Sequence, residues 1–166
     1  VLDTKPEIVD AEDAIDLGDV EGRVDFNHVD FSYLEGVPVL RDFDLHVDPG
    51  ETVALVGHTG AGKTSVTALI NRSYEIQGGT IEIDGHDLTK LVRKSLTRRM
   101  SVVLQEPYLF SGPIAENIRY GRLDATREEI ERAAEAVGAS EFIERLPNGY
   151  DSELKEGGKN LSIGQR

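Results

Sequence analysis

At 166 residues, 39% hydrophobic and 30% charged, the chain has the size and composition of about one globular domain, and no apolar run approaches the length of a membrane-crossing helix. Its 31 acidic residues outnumber 18 basic ones, and the net charge of −13 disfavours nucleic acid or an anionic lipid surface as main partner, since both need a basic footprint. With no cysteine there is neither a disulfide framework nor a thiolate metal site, and no secretory signal pattern is present.

In chain order, Val1 to about Val20 is acidic, aperiodic and contains a proline, and reads as a linker. Alternation in Val24 and Phe26, then Val29, Phe31 and Tyr33, predicts a strand with a bulge near His28, and Phe43, Leu45 and Val47 predict a second. The Glu35-Gly36-Val37-Pro38 connection makes the two an antiparallel pair. Thr52–Val56 is a short β-favouring run, expected as a strand. After it, Val66, Leu69 and Ile70 recur at helical spacing. Gly78-Gly79 is expected as a turn, Ile81 and Ile83 as alternating residues of a short strand, and Asp84-Gly85 as a further turn. Val102–Leu104 is expected as a strand buried on both faces. Helices dominate thereafter: Thr126 and Glu129 form a capping box, Ile130, Ala133, Ala134 and Val137 make one apolar face, and Gly138 is the stop. A shorter helical piece around Glu141 to Leu146 precedes a turn at Pro147-Asn148-Gly149.

One segment carries a definite chemistry. Gly57 to Thr64 reads GHTGAGKT and fits GxxxxGK[ST], the phosphate-binding loop, between the predicted strand and helix that the motif requires. Its glycines, Gly57, Gly60 and Gly62, free the backbone to turn successive N–H groups inward around phosphate oxygens at a helix N-terminus. Lys63 then reaches the β- and γ-phosphates, and the Thr64 hydroxyl is offered to Mg²⁺. The acidic balance does not oppose this, because screening confines surface charge to roughly 8 Å at physiological salt while the loop acts at contact distance. The four histidines, His28, His46, His58 and His86, are scattered along the sequence, which argues against a histidine metal site.

Taken with Tyr33 after Phe31-Ser32, Gln105 in VVLQEPYLF and the terminal LSIGQR of Leu161 to Arg166, the phosphate loop gives an order and spacing that resemble the nucleotide-binding domain of an ATP-binding cassette (ABC) transporter. The similarity runs from about Arg23 to the last residue. SGPIAENIRYG and LPNGYDSE look most like exporters whose membrane and ATPase parts share one chain, and LDTKPEI looks like their connecting segment. The resemblance implies an α/β fold: a P-loop NTPase core with a RecA-like parallel sheet, incomplete here, an N-terminal antiparallel β subdomain and an α-helical subdomain. It makes residues 1–22 a linker from a membrane domain and residues 23–166 a truncated nucleotide-binding domain, with about 113–166 helical.

Roles follow by resemblance, position by position. Gly57, His58, Thr59, Gly60, Ala61, Gly62, Lys63, Thr64 and Ser65 would hold the phosphates of ATP, and Tyr33, alone an ordinary strand aromatic, would stack on adenine. Gln105, alone a polar strand-end residue, would touch Mg²⁺ or the attacking water, so Lys63 and Gln105 are the catalytic candidates and Thr64 and Gln105 the metal candidates. The loop after Gln105 and Glu156 would face the membrane domain. Ser162 and Gly164 would approach the γ-phosphate held by a second nucleotide-binding domain in a head-to-tail dimer.

Two departures stand out: Ile163 where the family usually has Gly, and Gly157 where it often has Arg. A β-branched residue at positive φ is costly and brings bulk to where backbone should near a phosphate, which suggests a weakened signature in one half of a heterodimeric exporter. The family's Asp-Glu after an apolar strand and its switch histidine are not in this sequence, so the chain is expected to be a fragment that hydrolyses ATP negligibly by itself. The expected setting is the cytoplasmic face of a membrane, the fragment itself being soluble. Alternatives are a non-catalytic nucleotide-binding or interaction module, and a soluble P-loop kinase, against which LSIGQR and the Gln105 context speak.

Overall fold

A computed structural model describes residues 8–105 and 107–166; nearly all of LDTKPEI, and Glu106, lie outside the described residues. The chain divides into two compact units, residues 1–101 and residues 102–166.

The first unit is built on an antiparallel sheet of strand order β2-β1-β3-β4, formed by β1 (Val24–Leu34), β2 (Val37–Val47), β3 (Gly78–Ile83) and β4 (His86–Asp87). β1 and β2 pair from Val24 opposite Val47 to Leu34 opposite Val37, so only Glu35 and Gly36 form the turn. Pro38 therefore belongs to a strand, which it tolerates because β2 is an edge and its missing N–H costs no ladder bond on the outer side. The bulge expected near His28 is present: the register shifts between Phe26 and Val29, and His28 has φ of 50°.

Gly78-Gly79 is not a turn but the start of β3, facing that bulge. At Gly79, with φ of 79°, a Cβ would lie 2.3 Å from the carbonyl oxygens of Asn27 and His28, so close backbone approach, not chain reversal, demands glycine here. Asp84 and Gly85 do form the expected turn, both at positive φ, between β3 and β4.

One face of the sheet packs on α1 (Lys63–Ile70) and the segment around α2 (Arg93–Arg98), burying Phe26, Val29, Phe31, Ile81, Val66, Leu69, Leu91 and Leu96. Aperiodic residues 10–22 are pinned here. Ile15 bridges to Leu91, Leu17 is in the core with its amide donating to Ser95 Oγ at 3.0 Å, and Asp84 accepts from the amides of Glu21, Gly22 and Arg23.

Two expected strands do not form. Thr52–Val56 and Val102–Leu104 carry no ladder, and Val56 and Val103 are 93% and 96% exposed. A strand is completed by a neighbour that satisfies its backbone groups, and none of the described residues supplies one to either run.

The second unit comprises β5 (Gly112–Pro113), α3 (Ile114–Arg119), α4 (Arg127–Ala136), α5 (Ser140–Glu144) and β6 (Glu153–Leu154), the two short strands pairing antiparallel. Its core is Ile114, Ala115, Ile130, Ala134, Ile143, Tyr150, Leu154 and Leu161. The capping box on α4 is complete: Thr126 accepts from the Glu129 amide and Glu129 from the Thr126 amide. The helix ends as expected at Gly138, at φ of 72°, with Ala139 N–H donating to Ala134 and Gly138 N–H to Glu135, the paired bonds of a Schellman stop. Only part of its periodic face is covered, since Ile130 and Ala134 are buried while Ala133 and Val137 are exposed. Among the described residues no helix is long and apolar enough to cross a membrane.

Candidate functional site: a phosphate cradle beside an aromatic ring

The loop before α1 folds as the glycine spacing demands. Gly60 and Gly62 sit at φ of 85° and 84°, the left-handed region in which side chains are strained. A Cβ on Gly62 would also come within 2.9 Å of Leu40 on β2, so the loop is seated on the sheet through that glycine. Gly57 needs no unusual φ; its constraint is Ala61, whose Cβ would be 3.1 Å from an added one.

The electrostatics suit an anion. Gly62 caps α1 without any side-chain bond, and the first turn holds no acidic residue, so the positive end of the helix is not neutralised locally. Among the described residues no acceptor bonds the amides of Gly62, Lys63 or Thr64. Lys63 Nζ folds back onto the loop, donating to the carbonyls of Gly57 and His58 at 2.8 Å each. Thr64 is exposed on the same groove, where its hydroxyl is open to a hydrated cation. His58 turns its Nδ1 to the Thr59 carbonyl, 2.8 Å away.

Tyr33 reaches the same place from β1. Tyr33, Val39 and Gly60 to Ser65 line one open groove of about 390 Å³, within the size range of small-molecule sites. The Tyr33 hydroxyl is 2.9 Å from Ser65 Oγ, and the residue remains 48% exposed, enough to offer a surface to a planar ligand. Sequence position alone, with the two residues 32 positions apart, gave no sign of the Tyr33–Ser65 bond.

The remaining expected site residues lie in the second unit. Gln105 is exposed at a bend after the ladderless Val102–Leu104. Ser162 precedes a single 3₁₀ turn, Ile163–Gln165, in which the Gln165 amide donates to the Ser162 carbonyl at 3.1 Å and the Gln165 side-chain oxygen accepts from the Ser162 amide at 3.0 Å. Gly164 has open space where a Cβ would go. Ile163 does not take the positive φ that would strain a β-branched residue; it sits in the 3₁₀ turn, 87% exposed. Gly157 does take positive φ, 68°, a conformation that suits glycine. Glu156 accepts from the Tyr108 hydroxyl.

Sequence scatter concealed one histidine cluster. His28, Asp42 and Asp44 bring one ligand-type atom each within 4.8 Å of one another across the β1–β2 bulge, all exposed. They already pair without an ion: Asp42 is 2.7 Å from His28 Nδ1 and Asp44 accepts from the His28 amide, and the bond to Asp42, then the charges of Asp44 and Asp42, raise the His28 pKa.

The family model described as ABC transporter matches residues 40–166. The whole chain is 46% identical to a fatty acid ABC transporter ATP-binding/permease protein of Mycobacterium bovis, covering 26% of that protein. It is also 46% identical over its full length to the beta-(1→2)glucan export ATP-binding/permease protein NdvA of Nitrobacter winogradskyi, covering 27% of it. Among solved structures, a bacterial Atm1-family ABC exporter with ATP bound superimposes with a TM-score of 0.93 at 38% identity, over 99% of this chain and 29% of that one. The chain thus spans about a quarter of the length of the curated relatives it matches, and it belongs to the ABC transporter family.

Proposed function

We propose that this chain is the ATP-binding part of an exporter in which ATP binding and hydrolysis drive transport, attached to a membrane domain in the manner of the ATP-binding/permease relatives and lying at the cytoplasmic face of the membrane. The observation that carries this reading is the single groove lined by both Tyr33 and the loop Gly60–Ser65, which offers a base a half-exposed ring and the phosphates an unneutralised helix end. In it, Gly57 to Ser65 hold the phosphates, Lys63 leaves the Gly57 and His58 carbonyls for the β- and γ-oxygens, and Tyr33 stacks on adenine. Thr64 would hold Mg²⁺, with Gln105 as its further ligand or as the group that orients water, and the ion would supply charge neutralisation at the phosphate oxygens.

Ser162 and Gly164 face a nucleotide bound by a second nucleotide-binding domain in a head-to-tail dimer. The exposure of Ile163 supports the reading that its side chain, not its backbone, distinguishes this signature from the usual glycine-containing one, and so supports pairing with a non-identical partner.

Calorimetric titration of the chain with Mg-ATP tests the cradle. Lys63→Ala is expected to weaken binding by roughly tenfold or more, the size of a lost charge-assisted hydrogen bond. Equal affinities of the two chains would overturn the reading.

A further inference from the structure

The segment between α1 and β3 wraps around Tyr33, and neither the phosphate-loop motif nor the assigned site residues account for it. Gln77 grips β1 beside the tyrosine: its Oε1 accepts from the Ser32 amide at 2.6 Å, its Nε2 donates to the Ser32 carbonyl at 3.4 Å, and its own amide donates to the Asp30 carbonyl at 2.9 Å. Tyr74 lies 4.9 Å from Tyr33, ring centre to ring centre, at 85°, while Phe31 stands on Tyr33 at 4.8 Å and 79°. The segment that carries Tyr74 is itself anchored. Arg72, almost fully buried, donates through Nε and Nη2 to Glu75 Oε1 at 3.0 and 2.9 Å, and through Nη1 to the Leu91 carbonyl at 3.4 Å.

We propose that Tyr74 and Gln77 are positioning residues for Tyr33, holding its ring so that the exposed face is presented to the base of a nucleoside triphosphate in the phosphate cradle. An aromatic ring whose plane is fixed before the ligand arrives stacks on a base without the cost of ordering it on binding. Tyr33 is the next-to-last residue of β1, beside an exposed hairpin, where nothing in strand geometry alone fixes a side chain. Four contacts do so here: the Phe31 and Tyr74 rings, each at nearly a right angle to it and 5.8 Å from one another, a backbone clamp at the preceding residue, and the Ser65 bond at the hydroxyl. Two of the four, Tyr74 and Gln77, come from the 72–77 segment. Continuing directly from the helix that begins in the phosphate loop, that segment links the base platform to the phosphate cradle through one stretch of chain.

This rests on the reading of Tyr33 as the base platform, and the experiment separates the two. Affinities for Mg-ATP and for inorganic tripolyphosphate are measured by calorimetry on the parent chain and on Tyr33→Ala, Tyr74→Ala, Tyr74→Phe and Gln77→Ala. Tyr74→Ala and Gln77→Ala are expected to weaken ATP roughly three- to tenfold, the worth of an aromatic pair or of a side-chain to backbone hydrogen bond, while leaving tripolyphosphate unchanged. Tyr74→Phe, which keeps the ring, restores parental ATP affinity. A loss of both ligands together in Tyr74→Ala would mark a merely structural role and overturn the proposal. So would unchanged ATP affinity in Tyr74→Ala when Tyr33→Ala does weaken ATP. If Tyr33→Ala itself leaves ATP affinity unchanged, the platform reading fails and the positioning roles fall with it.

Discussion

The Tyr108 hydroxyl donates to Glu156 Oε1 at 3.2 Å, joining two segments 48 residues apart within the second unit. Phe110 packs against the Tyr108 ring at 5.3 Å and against Tyr120 at 5.0 Å, and all three aromatics are substantially exposed. Tyr108 lies in the stretch following Gln105, and Glu156 opens the turn before the signature, so the two places that the family resemblance assigns to the membrane-facing side share a bond. A motion of one segment cannot occur without breaking or carrying the other.

The first prediction concerns that bond. Desolvation, then the hydrogen bond to Glu156 and its charge, raise the Tyr108 pKa above the ordinary tyrosine value. In Glu156→Gln the carboxylate charge is gone while an acceptor oxygen remains, so Tyr108 ionises at lower pH than in the parent, though still above the ordinary value because desolvation persists. Phenolate absorbance during alkaline titration, with Tyr108→Phe subtracted, reads the shift directly. A titration that Glu156→Gln leaves unmoved would mean the bond is not kept in solution.

The second concerns pH and the first unit's sheet. His46 on β2 lies opposite Asp25 on β1; its Nδ1 bonds the Asp25 carboxylate and its Nε2 lies 3.0 Å from Asp48, while Arg23 bonds Asp25 at 2.8 Å. The bonds to Asp25 and then Asp48 raise the His46 pKa, and the bonds from Arg23 and then His46 lower that of Asp25. The folded state therefore binds the His46 proton more tightly than the unfolded state does. That contribution is complete below about pH 6.5 and is lost as pH rises through the raised His46 value. The Asp25 contribution is present above about pH 4 and is lost as pH falls through its depressed value. Melting temperature is expected to decline above pH 6.5 in the parent, and His46→Gln should flatten that limb. In NMR titration, Asp25→Asn should lower the His46 midpoint. A midpoint that Asp25→Asn leaves in place would sink this account.

How much of this could be read in advance depended on how local the determining physics is. The cradle, the α4 capping box and the bulge at His28 were legible because each is specified within a few residues: glycine at positive φ, a Thr and a Glu three apart, a break in alternation. Thr52–Val56 and Val102–Leu104 have strand-like composition but no ladder, since a strand is a property of a pair. Gly78-Gly79 carries the same local signal as a turn, and only the approach of Asn27 and His28 reveals a bulge partner. The Tyr33–Ser65 bond and the Gln77 clamp join residues 32 and 45 apart, a separation to which no periodicity is sensitive.

Gly79 gives the third prediction, with Gly85 as its control. Both have positive φ, 79° and 78°, so alanine at either is disfavoured by about 1–2 kcal/mol through backbone conformation alone. At Gly85 nothing lies within 4 Å of an added Cβ, whereas at Gly79 it would overlap two backbone carbonyls that cannot rotate aside. Urea unfolding should show Gly85→Ala losing about that conformational amount. Gly79→Ala should lose more than about 3 kcal/mol or fail to fold, with the β1–β3 register disrupted. Equal losses would show that the bulge relaxes freely, contrary to its double pairing with β2 and β3.

The last prediction turns on Ile163, whose conformation divides two effects that the sequence leaves merged. Because it occupies a 3₁₀ turn with its side chain 87% exposed, it is neither strained nor packed, and replacing it with glycine should change the stability of the chain by no more than about 1 kcal/mol, the intrinsic cost of glycine in a helical turn. What it retains is bulk, projecting beside Ser162 and Gly164. If that surface closes on a nucleotide held by a second nucleotide-binding domain, removing the side chain lets backbone approach the phosphate oxygens, and Ile163→Gly in the full-length parent should raise ATP turnover of the assembled transporter severalfold. Unfolding measured on this chain and steady-state phosphate release measured on the assembly separate the outcomes. Unchanged stability with increased turnover supports a signature limited by its side chain. A large loss of stability would mean that Ile163 is packed in solution, and unchanged turnover would remove bulk at this position as the source of an unequal site.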